Sequence, residues 1–292
     1  MIKLFVTDLD GCISFPFKTP TWSAINSIRE LNEQSIDDPV IPPITICTGR
    51  PFPYAEAVGQ WLNIRHPFVF ESAGIYHWEG NRIETALDGK EETLEPIRED
   101  RKWINNDILP NYPNAILEFT KMMDAGIVCP DESVINEIHE LALRRIPEID
   151  PGLEIHTTEI SINVLMPGNN KLQGLKMLGN TLDIRLDEMA YIGDTSGDAV
   201  ALKEVKMPFS PSNARKVAKD VSVEIPFEAT EAVLEAYRLD VPRRTLAKMV
   251  ALVAVDAVVE VRRRREVGRR TAVGQRAGVR LDAVYQPRRD VR

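Results

Sequence analysis

Cysteine is scarce in this 292-residue chain: Cys12, Cys47 and Cys129 are odd in number and far apart. That excludes a disulfide scaffold and fits a reducing, cytoplasmic compartment. Long apolar runs are lacking. The longest, Met249–Val255, has seven residues, against the roughly 20 a spanning helix needs. Asp8 and Asp10 stand where a signal peptide keeps its apolar region, so neither secretion nor membrane insertion is expected. Histidines number four and show no metal-ligand spacing. The four tryptophans fit packing better than a stacking platform. Net basic charge is missing from the body, where residues 1–238 carry 22 Lys+Arg against 38 Asp+Glu. A nucleic-acid backbone wants basic patches, so no such partner is expected. What remains is a soluble globular composition, 43% hydrophobic and 27% charged, with length for one large or two moderate domains.

Residues 1–72 alternate. The run Ile2–Thr7 is apolar and stops at Asp8-Leu9-Asp10-Gly11, which reads as a buried strand ending in a turn. Trp22, Ile25, Ile28 and Leu31 recur at helical spacing. Ile44–Cys47 predicts a second strand, ending at Thr48-Gly49-Arg50 and opening a helix with Pro51 and Pro53 in its first turn. Residues 67–71 predict a third strand. Strand–helix alternation of this kind makes a parallel sheet with helical crossovers.

From Ala73 to Asn169 the texture is mixed, with a hairpin over 75–84, helices near 91–109 and 132–145, and short strands between and after them. This predicts an inserted α+β domain. Alternation returns with a helix over 171–182, a strand over 188–192 ending at Gly193-Asp194, and a helix from Ser196. The expected fold is α/β: a Rossmann-like parallel sheet core, 1–72 and 170–238, with helices on both faces and an inserted α+β cap, 73–169. Residues 239–292 change again, with 14 Lys+Arg against 6 Asp+Glu. A poorly ordered basic tail is the bland reading; an arm for an anionic surface, or a frame artefact, would explain the same composition.

Chemistry gathers at the predicted strand ends, where open parallel sheets bind ligands. Asp8 and Asp10, two residues apart, leave the first strand close together. Like charges so near resist joint ionisation unless a cation lies between them, and Mg²⁺ is the hard ion suited to carboxylate oxygens. One carboxylate can then serve as nucleophile and the other as general acid and base. Asp194 would meet the same metal, with Asp198 one helical turn on. An ordinary Asp-Gly turn and an acidic N-cap are the alternatives for the two motifs. Thr48, with backbone N–H groups at a helix start, makes an anion seat or a plain cap. Arg50 could reach a phosphate or carboxylate. Lys171 is electrostatically misplaced at a helix N-terminus, which a compensating anion would explain.

Together, Asp8-x-Asp10-Gly11, Thr48, Lys171 and Gly193-Asp194-x-x-x-Asp198 resemble the four motifs of the haloacid dehalogenase superfamily. The long stretch between Thr48 and Lys171 places the insert where Cof-like members carry a type IIB cap. Sucrose-phosphate, mannosyl-3-phosphoglycerate and archaeal-type phosphoglycolate phosphatases share that architecture. Residues 208–214, which include Asn213, are similar to the segment that follows the fourth motif. The likeness covers about 1–238. Gly197 departs from it, standing where Cof-like members usually place Asn. The resemblance implies a Mg²⁺-dependent phosphatase acting on a small phosphorylated metabolite. In that scheme Asp8 is the nucleophile and Asp10 the acid and base. Asp8, Asp10 (through its carbonyl), Asp194 and Asp198 serve the metal, Asp198 as a ligand or behind one. Gly11, Thr48, Gly49, Arg50, Lys171 and Asn213 serve the phosphate or substrate. Glu118, Lys121, Glu159 and Asn163 are candidate linings from the cap. A phosphomutase, or a phospho-accepting signalling module, would use similar residues.

Overall fold

A computed structural model describes residues 1–85 and 91–240. The first elements are β1 (Leu4–Thr7), α1 (Trp22–Gln34), β2 (Ile44–Ile46), α2 (Phe52–Trp61) and β3 (Phe68–Phe70). Next come β4 (Gly74–His77), β5 (Arg82–Thr85), α3 (Glu95–Trp103), β6 (Ile116–Leu117), β7 (Asp124–Val128), α4 (Glu132–Ile149), β8 (Glu154–Thr157) and β9 (Ser161–Leu165). The last are α5 (Lys171–Leu182), β10 (Met189–Ile192), α6 (Ser196–Leu202), β11 (Met207–Pro211), α7 (Lys216–Lys219), β12 (Val223–Ile225) and α8 (Ala229–Asp240). β12 and α8 were not expected from the sequence. Of the tail read over 239–292, residues 239 and 240 end α8 and the rest lies outside the described residues. No helix among the described residues is long and apolar enough to cross a membrane.

Five strands form a parallel sheet in the order β12-β11-β10-β1-β2. β1 and β10 are buried at every position because helices cover both faces, which is why such strands read as unbroken apolar runs. On one face Leu4, Val6, Met189 and Tyr191 pack with Leu175 and Leu178 of α5 and with Ala201 and Leu202 of α6. On the other, the Phe5 ring lies 4.9 Å from that of Tyr237 in α8, and α8 packs on α1. β1 is an inner strand between β2 and β10, and the chain leaves it first to one side and then to the other. That reversal opens a crevice at the carboxyl edge. The register makes the point locally. Thr7 pairs with Ile192 of β10 and Ile46 of β2, so Asp8, Gly193-Asp194 and Cys47-Thr48 leave the sheet side by side.

The inserted cap holds an antiparallel sheet in the order β6-β7-β9-β8. Ile97, Ile104, Ile135, Ile138 and Ala142 from its helical segments pack onto Ala125, Ile127, Ile162 and Val164 of its strands. Ala73, where the insert is expected to begin, lies between two strands of a second sheet. β4 and β5 pair antiparallel in the order β3-β4-β5, and β3 touches β2 through a Cys47–Val69 bridge. Aromatic packing explains the attachment: the Tyr76 ring lies 5.2 Å from Phe68, 4.7 Å from Phe52 and 5.1 Å from Trp78.

Candidate active site

Asp8 follows β1 directly and is buried. Its Oδ2 lies 2.9 Å from Lys171 Nζ. Lys171 opens α5, whose cap is Asn170, with its side-chain oxygen accepting from Gln173 N at 3.1 Å. The anion that would explain a lysine here is therefore present, and there are two of them: Lys171 Nζ also lies 2.5 Å from Asp198 Oδ1. Burial raises the Asp8 carboxyl to about 7 against the pull of Lys171, with Asp198 and Asp10 pushing further.

Asp198 is turned to this lysine and to its own loop. Oδ1 accepts from Lys171 and the Tyr191 hydroxyl, and Oδ2 from Thr195 N at 2.9 Å, Thr195 Oγ1 at 2.7 Å and Asp194 N at 3.3 Å. Both oxygens are occupied by donors. Of the two places expected for Asp198, a metal ligand or a group behind one, these hydrogen bonds favour the second, since they engage Lys171 and the Gly193–Thr195 turn. Burial alone would raise its carboxyl, but Lys171 and the donated hydrogen bonds hold it below the ordinary range.

Asp194 is the opposite case. Its Oδ1 is buried with no partner, as is Oδ1 of Asp10. Ligand atoms of Asp8, Cys12 and Asp194 lie within 4.8 Å of one another. Desolvation, then the neighbouring Asp198 and Asp8, push the Asp194 carboxyl well above its ordinary value. A buried carboxylate oxygen without a partner on Asp194, beside the Asp8 carboxylate, fits a hard divalent cation held by oxygen. Burial pushes the Cys12 thiol up, so it offers no thiolate there. Gly11 is required beside this pair: its φ is +71°, and a Cβ would meet Asp194 Oδ2 at 2.0 Å.

Thr48 is buried, and its hydroxyl oxygen accepts from Arg50 N at 3.1 Å, leaving the hydroxyl proton free to donate. The expected helix opening at Thr48–Arg50 comes later, at Phe52 with Pro51 as cap. Residues 48–50 instead form a turn tied to the end of β3, where Ser72 N donates to Thr48 O at 2.9 Å. Arg50 was expected on substrate. The structure shares its guanidinium between two carboxylates, Nε to Asp10 Oδ2 at 2.6 Å and Nη1 to Glu118 Oε1 at 2.8 Å. Asn213 is likewise engaged by protein: Nδ2 donates to Gly11 O at 2.9 Å and Oδ1 accepts from Ala229 N at 2.9 Å. It positions the Asp10–Gly11 loop.

A cleft of about 320 Å³ joins these groups and is roofed by the cap. Asp8, Asp10, Gly11, Thr48, Gly49, Arg50, Lys171, Asp194 and Asn213 border it, as do all four cap candidates, Glu118, Lys121, Glu159 and Asn163. Sequence reasoning missed Glu71, Asp124, Tyr191 and Arg215. Glu71 is buried at the end of β3 and accepts from Met122 N at 2.8 Å and Met123 N at 2.7 Å, pinning the segment that carries Glu118 and Lys121. Its signal was a lone charge closing an apolar strand. Tyr191 gave none, since a strand tyrosine reads as packing.

A family model described as haloacid dehalogenase-like hydrolase matches residues 75–236, more than half of the chain. The chain belongs to the haloacid dehalogenase-like hydrolases. Among curated relatives, a phosphoglycolate phosphatase of Halorubrum lacusprofundi is 28% identical over 207 residues, covering 67% of this chain and 84% of the relative. A phosphoglycolate phosphatase of Methanopyrus kandleri is 25% identical, covering 76% of this hydrolase and 89% of the relative. Two solved structures share the fold. One, Thermoplasma acidophilum 0175, has a TM-score of 0.61 at 20% identity and covers 82% of this chain and 98% of its own. The other, sucrose-phosphatase of Synechocystis, has a TM-score of 0.55 at 16% identity and covers 82% and 98%.

Proposed function

We propose that this hydrolase is a Mg²⁺-dependent phosphatase cleaving the monoester of a small metabolite: phosphoglycolate, a sugar phosphate or a glycosyl-phosphoglycerate. One observation carries the reading. A buried carboxylate, Asp8, lies 2.9 Å from a lysine and within reach of the unpartnered Asp194, with Asp10 two residues on. The names of the curated relatives support the same class.

In this reading Asp8 attacks phosphorus, the ester P–O bond breaks, and an aspartyl-phosphate forms. Asp10 gives its proton to the departing oxygen. It then takes a proton from water, whose oxygen attacks phosphorus and frees Asp8 and inorganic phosphate. Desolvation raises the Asp10 carboxyl against the pull of Arg50, which suits a group that must first donate. Thr48 donates to a phosphate oxygen, and Lys171 offsets the charge on the transferring group. Asp8, Asp194 and the Asp10 carbonyl would hold Mg²⁺, which supplies positive charge to the phosphoryl oxygens. Asp198 keeps Lys171 in place. The core comprises the parallel sheet with β3, β4 and β5, and the cap runs from 91 to 169. Three buried free cysteines fit a cytoplasmic location.

The test is phosphate release from a panel of phosphorylated metabolites, with Mg²⁺ and with EDTA. Release that EDTA abolishes supports the reading. A folded protein that releases phosphate from none of them overturns it.

A further inference from the structure

Five lysines and arginines border the cleft: Lys18, Arg50, Lys121, Lys171 and Arg215. Three are each held between two protein carboxylates. Lys171 lies between Asp8 and Asp198, at 2.9 and 2.5 Å. Arg50 lies between Asp10 and Glu118, at 2.6 and 2.8 Å. Lys121 lies between Glu118 and Asp124, at 3.2 and 3.0 Å. Lys18 is exposed, over the Phe15 ring at 4.8 Å.

Arg215 differs from all four. It is half-buried and makes no ion pair with any described residue. Its backbone is fixed beside the catalytic centre, because Arg215 N donates to Asp194 O at 2.8 Å. Its guanidinium reaches the cap only by a long hydrogen bond, Nη1 to Thr157 O at 3.5 Å. The other side-chain donors have no protein acceptor among the described residues. In the same wall the hydroxyl oxygen of Thr157 is buried without a partner. A guanidinium offers parallel N–H groups that match a carboxylate, and no carboxylate among the described residues pairs with this one.

Resting on the phosphatase reading, we propose that Arg215, with the Thr157 hydroxyl, seats a carboxylate carried by the substrate. The preferred ester is then a phosphorylated hydroxy-carboxylic acid, its phosphate at Asp8 and its carboxylate at the Arg215 wall. A simple sugar phosphate brings no second anion to this cation.

The experiment compares kcat/KM for phosphoglycolate, p-nitrophenyl phosphate and glucose 6-phosphate in wild type, Arg215→Met and Arg215→Lys, all with Mg²⁺. The ratio of phosphoglycolate to p-nitrophenyl phosphate falls by at least about tenfold in Arg215→Met, chiefly through KM, as expected for a lost charged hydrogen bond. Arg215→Lys recovers part of it. Thr157→Val lowers the same ratio by a smaller factor and serves if Arg215→Met does not fold. A ratio unmoved in Arg215→Met and Thr157→Val overturns the assignment alone. So does a wild type that prefers glucose 6-phosphate. Phosphate release from none of the three esters, nor from any member of the wider metabolite panel, overturns the phosphatase reading and this assignment with it.

Discussion

Glu118 accepts a hydrogen bond from Arg50 Nη1 at 2.8 Å, so a cap carboxylate holds the arginine that holds Asp10. Burial alone would raise Glu118, but Lys121 and Arg50 keep it below the ordinary range, so the contact stays ionic at neutral pH. The cap and Asp10, the proposed acid and base, are thereby linked through one guanidinium. Glu118→Gln weakens one side of it and leaves Arg50 free to swing. We expect kcat to fall by about tenfold or more, since removing one member of a buried ion pair is strongly unfavourable. Steady-state rates with a thermal melt decide it. An unchanged kcat in a folded variant would show that Asp10 needs no support from the cap.

Asp8→Asn keeps the shape of the site and removes the proposed nucleophile. Turnover is expected to drop by at least about 10³-fold, as when a covalent nucleophile is lost. Stability should hold, because Lys171 retains Asp198 at 2.5 Å. Phosphate release and circular dichroism check both halves. Wild-type turnover in this variant would move the chemistry elsewhere.

The Asp194 carboxylate stands against Asp198 and Asp8, and in the proposed reading a cation relieves that repulsion. Asp194→Asn is therefore expected to melt higher than wild type in EDTA. Wild type should gain stability with Mg²⁺, about 2.7 kcal/mol when the ion is at 100 times its dissociation constant. The variant should gain far less. Thermal melts across a Mg²⁺ titration, without substrate, separate the two. Equal gains in both proteins would remove Asp194 from the metal site.

The strand ends were legible because a doubly covered parallel strand must be apolar throughout, and Asp8, Thr48 and Asp194 mark where each run stops. Lys171 was legible for a complementary reason: a helix N-terminus disfavours it unless an anion is near. The duties of Asp198, Asn213 and Arg50 were not legible. Each is set by a partner distant in sequence, Lys171, Gly11 and Glu118, so spacing along the chain carries no trace of it. β12 escaped because two of its three residues are exposed at a sheet edge, and a solvated edge leaves no apolar run. The hairpin was seen, but not its attachment to β3, which depends on rings from α2, β3 and β4 meeting in space.

Asp100, in α3 of the cap, gives a prediction independent of catalysis. It is fully buried, and neither carboxylate oxygen has a hydrogen-bond partner. Desolvation lifts its carboxyl from 3.8 to about 7, with Arg101 and Arg145 pulling it down and Asp124 pushing it up. Between those values the folded protein binds the proton that the unfolded chain has released. Stability from this group therefore falls as pH rises from about 4 to about 7 and stays low above, by at most about 4 kcal/mol. Asp100→Asn removes the titration. The variant should be more stable than wild type at pH 8, and the gap should narrow toward pH 5. Urea unfolding at the two pH values measures it. A gap independent of pH would mean that Arg101 and Arg145 keep the carboxylate ionised, and that its burial costs the fold no proton.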